Sequence, residues 1–85
     1  MFYVYVLLSE KDGKRYIGYT EDLRKRVKEH NSGKVKSTRH RRPLHLIYYE
    51  ACLNKKDAKA REKYLKGAWG YKFLDKRLKN FYESL

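Results

Sequence analysis

The sequence predicts a small α+β domain, a three-stranded antiparallel sheet flanked by three helices in the order β-β-α-β-α-α. Three observations carry that prediction. Phe2 to Leu8 and Arg15 to Tyr19 are aromatic and β-branched stretches joined by the turn signal Lys11-Asp12-Gly13-Lys14, the pattern of a hairpin. Leu23, Val27 and His30 then fall at i, i+4 and i+7, the spacing of a helix with a narrow apolar stripe. After a further extended stretch, Ala58, Arg61, Glu62 and Leu65, and then Leu74, Leu78 and Phe81, repeat the helical spacing.

Each element has its own signals. Phe2 to Leu8 is apolar at nearly every position and reads as a strand buried on both faces. Thr20 is expected to cap the first helix, with Glu21 and Asp22 in its first turn near the positive helix end. Asn31-Ser32-Gly33 ends that helix, the glycine supplying a positive φ. A basic loop leads to Pro43, and Leu44 to Ala51 reads as the third strand. Asn54, with Asp57 three residues on, begins the second helix, and Gly67 stops it. The last helix is expected from about Gly70 to Tyr82. No repeat, low-complexity run or linker divides the chain, so residues 1–85 are read as a single domain.

Composition narrows the function. Lys and Arg number 22 against 10 Asp and Glu, a net charge of +12 on 85 residues. An excess of this size favours a polyanionic partner, because each cation placed on a phosphate releases condensed counterions. The densest basic run, Lys34 to Arg42, holds Lys34, Lys36, Arg39, Arg41 and Arg42 with no acid among them. No segment combines a basic face with a clearly apolar one, so membrane-surface binding is not expected. Nothing at the start resembles a signal peptide, and no run approaches the ~20 apolar residues of a membrane span. The single cysteine, Cys52, forms no internal disulfide and is read as a buried thiol. The composition reads as cytoplasmic.

The residues with the most chemistry are two tyrosine triplets, Tyr3-Val4-Tyr5 and Tyr16-Ile17-Gly18, followed by Arg26 and His30 four residues apart on one helix face. If the triplets pair as strands, two phenols, a guanidinium and an imidazole converge, a set suited to a phosphate ester. Glu62 lies on the apolar side of a helix, where an unpaired carboxylate is costly; on pattern alone a metal ligand and an ion pair with Arg61 or another base stand level. Trp69 and Tyr71 are read chiefly as packing between the last helices, with base stacking as the alternative.

These residues resemble the GIY-YIG nuclease domain family, most closely its short single-domain bacterial members. Tyr3-Val4-Tyr5 stands where the family has Gly-Ile-Tyr, Tyr16-Ile17-Gly18 matches the second triplet, and the likeness continues through Arg26, His30 and Glu62 in the same element order. One departure is Tyr3, which replaces the family's first glycine and narrows the approach to a phosphate. Another is Tyr19, near which some members use a lysine; Lys14 and Lys25 are the candidates here. The resemblance implies a metal-dependent DNA endonuclease that hydrolyses phosphodiesters by tyrosine-assisted water attack in DNA repair or processing. One divalent ion, Mg²⁺ or Mn²⁺, is implied on Glu62. It further implies that Tyr5 and Tyr16 prepare the water and that Arg26 clamps phosphate oxygens. His30 would handle a proton or phosphate. Gly18 permits close approach, Thr20 is a cap first and a phosphate contact second, and the basic loop holds the strand. The partner is expected to be DNA, with single-stranded and branched forms and RNA left open. The rival readings are a catalytically silent DNA- or RNA-binding module using the same basic face, and a structural RNA-binding protein.

Overall fold

A computed structural model describes all 85 residues, Met1–Leu85. Three strands, β1 (Phe2–Ser9), β2 (Arg15–Thr20) and β3 (Leu44–Cys52), form one antiparallel sheet in the order β2-β1-β3. Between β2 and β3 run α1 (Leu23–Asn31) and a 3-10 turn (Arg39–Arg41). After β3 come α2 (Lys55–Lys66), α3 (Ala68–Arg77) and α4 (Lys79–Glu83). No helix is long and apolar enough to cross a membrane.

The central position of β1 explains its near-continuous apolar sequence, since both of its faces are covered. Val4 and Val6 look to one side and meet Ile17, Ala58, Leu65, Leu74 and Leu78 in the larger core under α2 and α3. Tyr5 and Leu7 look to the other, where Leu44, Leu23 and Val27 join them beneath α1. The hairpin between β1 and β2 turns at Gly13, whose φ of 69° lies in the region that favours glycine. Gly33, at φ 81°, likewise follows the end of α1 as its sequence position predicts.

Asn31, the last residue of α1, does more than end a helix. Its amide donates from Nδ2 to the Leu44 carbonyl and accepts at Oδ1 from the Leu44 N–H, each at 2.8 Å. The side chain thus imitates a strand backbone and ties the end of α1 to the start of β3.

Four expectations are corrected. The cap of α1 is Asp22, which accepts from Lys25 N at 3.1 Å; the Thr20 hydroxyl instead accepts from Asp22 N and shapes the turn before the helix. Asp has the shorter carboxylate already at the correct offset from the first free N–H groups, so Glu21 and Asp22 lie ahead of the helix rather than in its first turn. The last helix starts earlier, at Ala68, and is divided at Leu78 into α3 and α4. Gly70 then lies inside α3, packed so closely on α2 that a β-carbon would overlap Leu65 Cα and the Tyr64 carbonyl. Trp69 does not pack between helices: it is 71% exposed, with the Lys72 ammonium 5.0 Å from its ring. Cys52 is half-buried at the end of β3 rather than fully enclosed.

Candidate active site

The register of the hairpin places Tyr5 directly opposite Gly18. Without a side chain at 18, the Tyr5 ring lies flat along the backbone of β2; a β-carbon there would stand 2.5 Å from the ring's Cζ. The glycine of the second triplet therefore makes the space that the tyrosine of the first one fills. Tyr16, on the same strand, tilts toward Tyr5 with ring centroids 6.3 Å apart.

His30 completes the cluster from the C-terminal end of α1. It is fully buried, its Nε2 lies 2.7 Å from the Tyr5 hydroxyl, and its ring meets Tyr16 edge-on at 4.9 Å. Its other nitrogen, Nδ1, lies 2.7 Å from the hydroxyl of Thr38. Burial, reinforced by the nearby Arg26 charge, pushes the imidazole pKa down to about 4, so the ring is neutral near pH 7. One turn before it, Arg26 pairs with Glu29 at 3.4 Å and lies near enough for its charge to act on Tyr5. Burial pushes Tyr5 up to about 12, against the opposing influence of the Arg26 guanidinium. Desolvation thus outweighs the nearby guanidinium, and in the free protein the phenol keeps its proton.

Glu62 comes from α2, behind the edge strand, near enough that its charge adds to the upward shift of Tyr5 and Tyr19. Its carboxylate is mostly covered, with 16% of the side chain exposed, and pairs with Lys66 at 2.9 Å and Lys59 at 4.0 Å. The expected alternative partner, Arg61, is engaged elsewhere, in a two-pronged bond to Glu50 at 2.9 and 3.0 Å. Lys59, which the sequence gave no reason to single out, bridges the region, its ammonium 4.2 Å from the Tyr19 ring centroid.

An implied divalent ion fits this chemistry in one form only. A hard cation prefers oxygen donors, and Glu62 offers one partly exposed carboxylate. No group of three or more His, Cys, Asp or Glu side chains converges anywhere in the fold. The ion compatible with this site is one held by a single carboxylate, with water and substrate phosphate filling the other positions, as Mg²⁺ commonly is. The lysines on Glu62 are each about half exposed.

An open cleft of about 350 Å³ lies along this edge, with Tyr19, Thr20, Lys25 and Arg26 in its lining beside the acids Glu21, Asp22 and Glu29. Of the two candidate lysines, Lys25 faces this cleft, whereas Lys14 belongs to the opposite end of the hairpin beside Arg15 and Tyr71. Tyr3 stands off from it: its ring packs edge-on against Tyr49 at 6.1 Å and lines a separate groove with Leu23, Val27 and Leu46. The substituted position in the first triplet thus leaves the Arg26 side open.

The basic loop is less uniform than its sequence. Lys34 and Lys36 are exposed and form no ion pair or side-chain hydrogen bond. Arg39 and Arg42 are exposed too, though Arg39 Nε donates to the Gly33 carbonyl and Arg42 Nε to the Arg39 carbonyl. Arg41 differs from expectation. It turns inward to Asp12 at 2.7 Å and to the carbonyls of Lys14 and Arg15, clamping the loop onto the hairpin turn. Thr38, with Val35, is buried. Its contact with His30 went unseen in the sequence, where a threonine eight residues past the helix histidine carries no periodic signal.

A family model described as the GIY-YIG catalytic domain matches residues 1–72. The chain is 48% identical over 67 residues to the UPF0213 protein CPE1444 of Clostridium perfringens, covering 78% of this chain and 71% of that protein. It is 51% identical over 57 residues to the UPF0213 protein YazA of Bacillus subtilis, covering 66% of this chain and 58% of the relative. Among solved structures, a solution NMR structure of the UPF0213 protein BH0048 of Bacillus halodurans matches at 40% identity. Its TM-score is 0.53, covering 87% of this chain and 82% of that one.

Proposed function

Since the chain belongs to the GIY-YIG family, a family of nucleases, we propose that it is a metal-dependent endonuclease that hydrolyses DNA phosphodiesters by water attack. The observation that carries this reading is the convergence of Tyr5, Tyr16 and His30 on the α1 face of the sheet, with Arg26 one turn before His30 and lining the adjacent cleft.

In this mechanism the DNA strand enters the cleft beside Tyr19 and Lys25, held there by Lys34, Lys36, Arg39 and Arg42. Arg26 takes two phosphate oxygens with its planar fork and balances charge as it builds. Tyr16 and Tyr5 hold the attacking water. The water oxygen bonds to phosphorus, the bond to the leaving sugar oxygen breaks, the water's proton passes to the Tyr5 oxygen as phenolate, and the leaving oxygen takes a proton from solvent. The phenol is protonated in the free protein, so this role requires Tyr5 first to release its proton to solvent, which positive charge brought in with the substrate favours. Arg26 and His30 are the groups that steady negative charge on its oxygen. A divalent cation on Glu62 would supply Lewis acidity toward the phosphate. Cytoplasmic work on DNA under repair or processing suits the basic composition.

The test is cleavage of labelled single-stranded, duplex and branched DNA, and of RNA, with Mg²⁺, Mn²⁺ or EDTA. Wild type is run beside folded Tyr5→Phe and Glu62→Ala variants. Metal-dependent cutting lost in both variants supports the nuclease reading and names the substrate form. Equal binding by all three without cutting replaces it with a nucleic-acid-binding module.

A further inference from the structure

β3 pairs with β1 in step from Cys52 to Tyr48, then slips by one residue between Val6 and Leu7, leaving Ile47 without a cross-strand partner. Ile47 and the adjacent Tyr48 both pack against the larger core. Leu46 and Tyr49, on either side of them, consequently share the opposite face, which regular alternation over three positions would forbid. There they line an open groove of about 560 Å³ with Tyr3 from β1 and Leu23 and Val27 from α1. The groove is apolar yet wet, with Leu46 exposed and Tyr49 51% exposed. The rings of Tyr3 and Tyr49 meet at 61° with centroids 6.1 Å apart, so they do not stack on one another.

Two cations stand on the rim of this groove. Arg24 and Lys28, one turn apart on α1, are exposed and form no ion pair or side-chain hydrogen bond. The acids beside them are already engaged: Asp22 caps α1, and Glu21 accepts from the Tyr19 hydroxyl at 3.3 Å and lies 3.8 Å from the Lys55 ammonium. Glu21 and Asp22 also border the cleft that holds Arg26, so groove and cleft adjoin across the start of α1. Tyr49 is moreover the direct cross-strand partner of Tyr5. Open aromatic rings beside free cations suit a nucleotide, whose base stacks while its phosphate pairs. They suit a second copy of the chain poorly, since two molecules of net charge +12 repel one another.

We propose that this groove is a base-binding subsite, which takes one unpaired nucleobase of the bound strand on Tyr49 and Tyr3 while Arg24 and Lys28 hold the adjoining phosphates. The identity of the occupant rests on the nuclease reading above. The subsite deepens that reading by adding a substrate requirement: a nucleotide free of its pairing partner, close to the phosphate that Arg26 takes. A base inside a duplex keeps its faces in the stack and must leave it to enter such a groove. The tyrosine that stands where the family has glycine thereby acquires a use, since its ring forms one wall of the subsite.

The experiment is a double-mutant cycle on binding, run in EDTA so that nothing is cut. The probe is the shortest thymidine oligonucleotide that wild type binds at full affinity, so that its register cannot slip, together with copies carrying one abasic position moved along the strand. Wild type should lose affinity at one position on the order of tenfold, as for one stacked base. Tyr49→Ala should bind the intact strand about that much more weakly and be indifferent to the abasic site at that position, whereas Tyr49→Phe should match wild type. In wild type, NMR should show nuclear Overhauser contacts between a thymine methyl and the ring of Tyr49 or Tyr3. Absence of those contacts overturns the proposal even if the alanine variant does not fold, and so does a wild type that binds no strand. Losses from Tyr49→Ala and the abasic site that simply add overturn it as well. Self-association in sedimentation that Tyr49→Ala abolishes gives the groove to a second copy and overturns it too. The expected binding pattern without cutting when Mg²⁺ is restored keeps the subsite and removes the nuclease reading. Cutting by a Tyr49→Ala variant that binds like wild type does the reverse.

Discussion

The phenol ring of Tyr5 occupies the volume that a side chain at residue 18 would take, the two residues being direct cross-strand partners. Gly18→Ala is therefore expected to push the ring out of place. Tyr5 is 1% exposed and hemmed by His30, so it has nowhere nearby to go. The predicted cost is roughly 1–3 kcal/mol, as for overpacking elsewhere. Urea unfolding should show the lower midpoint, and cleavage should be lost before the fold is. Unchanged stability and activity would mean the ring is not pinned there.

Acid should weaken the fold through His30. Its folded pKa of about 4 lies below the ordinary 6.5, so the unfolded chain binds the proton more readily between those values. The stabilising contribution is complete above about pH 6.5 and is lost as pH falls toward 4, by about 3 kcal/mol at most. Of the groups around the ring, Arg26 strengthens the effect and Glu29 opposes it. Unfolding midpoints measured from pH 7 to 4 should fall, and His30→Gln should flatten that fall.

Glu62 is predicted to matter for chemistry far more than for stability. Its partners Lys59 and Lys66 are each about half exposed, and such pairs contribute less than ~1 kcal/mol. Glu62→Gln should melt near wild type yet lose metal-dependent cutting. Broadening of backbone NMR signals by Mn²⁺ should centre on residue 62 in the wild type and vanish in the variant. Broadening that persists would place the ion elsewhere.

The arginines and lysines of the basic loop should divide by experiment as they do by geometry. Lys34→Ala with Lys36→Ala should lower the salt dependence of DNA binding by roughly two units of slope, about 0.9 for each lost phosphate contact. Arg41→Ala should leave that slope alone and lower the unfolding midpoint, because its guanidinium holds Asp12 and two hairpin carbonyls. A reduced slope for Arg41→Ala would put it on the nucleic acid.

The sheet, the first two helices and the meeting of Tyr5, Tyr16 and His30 were legible in the sequence because strong local signals marked them. The turn at Gly13, the stop at Gly33 and the cap at Asn54 all act over a few residues, and the structure uses each as written. What escaped the sequence depends on contacts between distant segments. The division at Leu78 arises where the helix turns to stay on the core, and Arg41 reaches back 29 residues to Asp12. Thr38 was hidden inside a run of charges, although Val35, the lone aliphatic residue from Lys34 to Arg42, hinted that one side of this loop faces inward.

The clasp that Asn31 forms with Leu44 turns residues 32–43 into a hoop whose ends stay together whatever happens along its rim. Lengthening such a hoop is inexpensive, about 0.6 kcal/mol for each doubling. Its outward residues are therefore free to drift, while the buried contacts below are left undisturbed. The inward residues have no such liberty. One short segment thus combines a surface open to evolutionary exploration with an underside held constant by the histidine it supports.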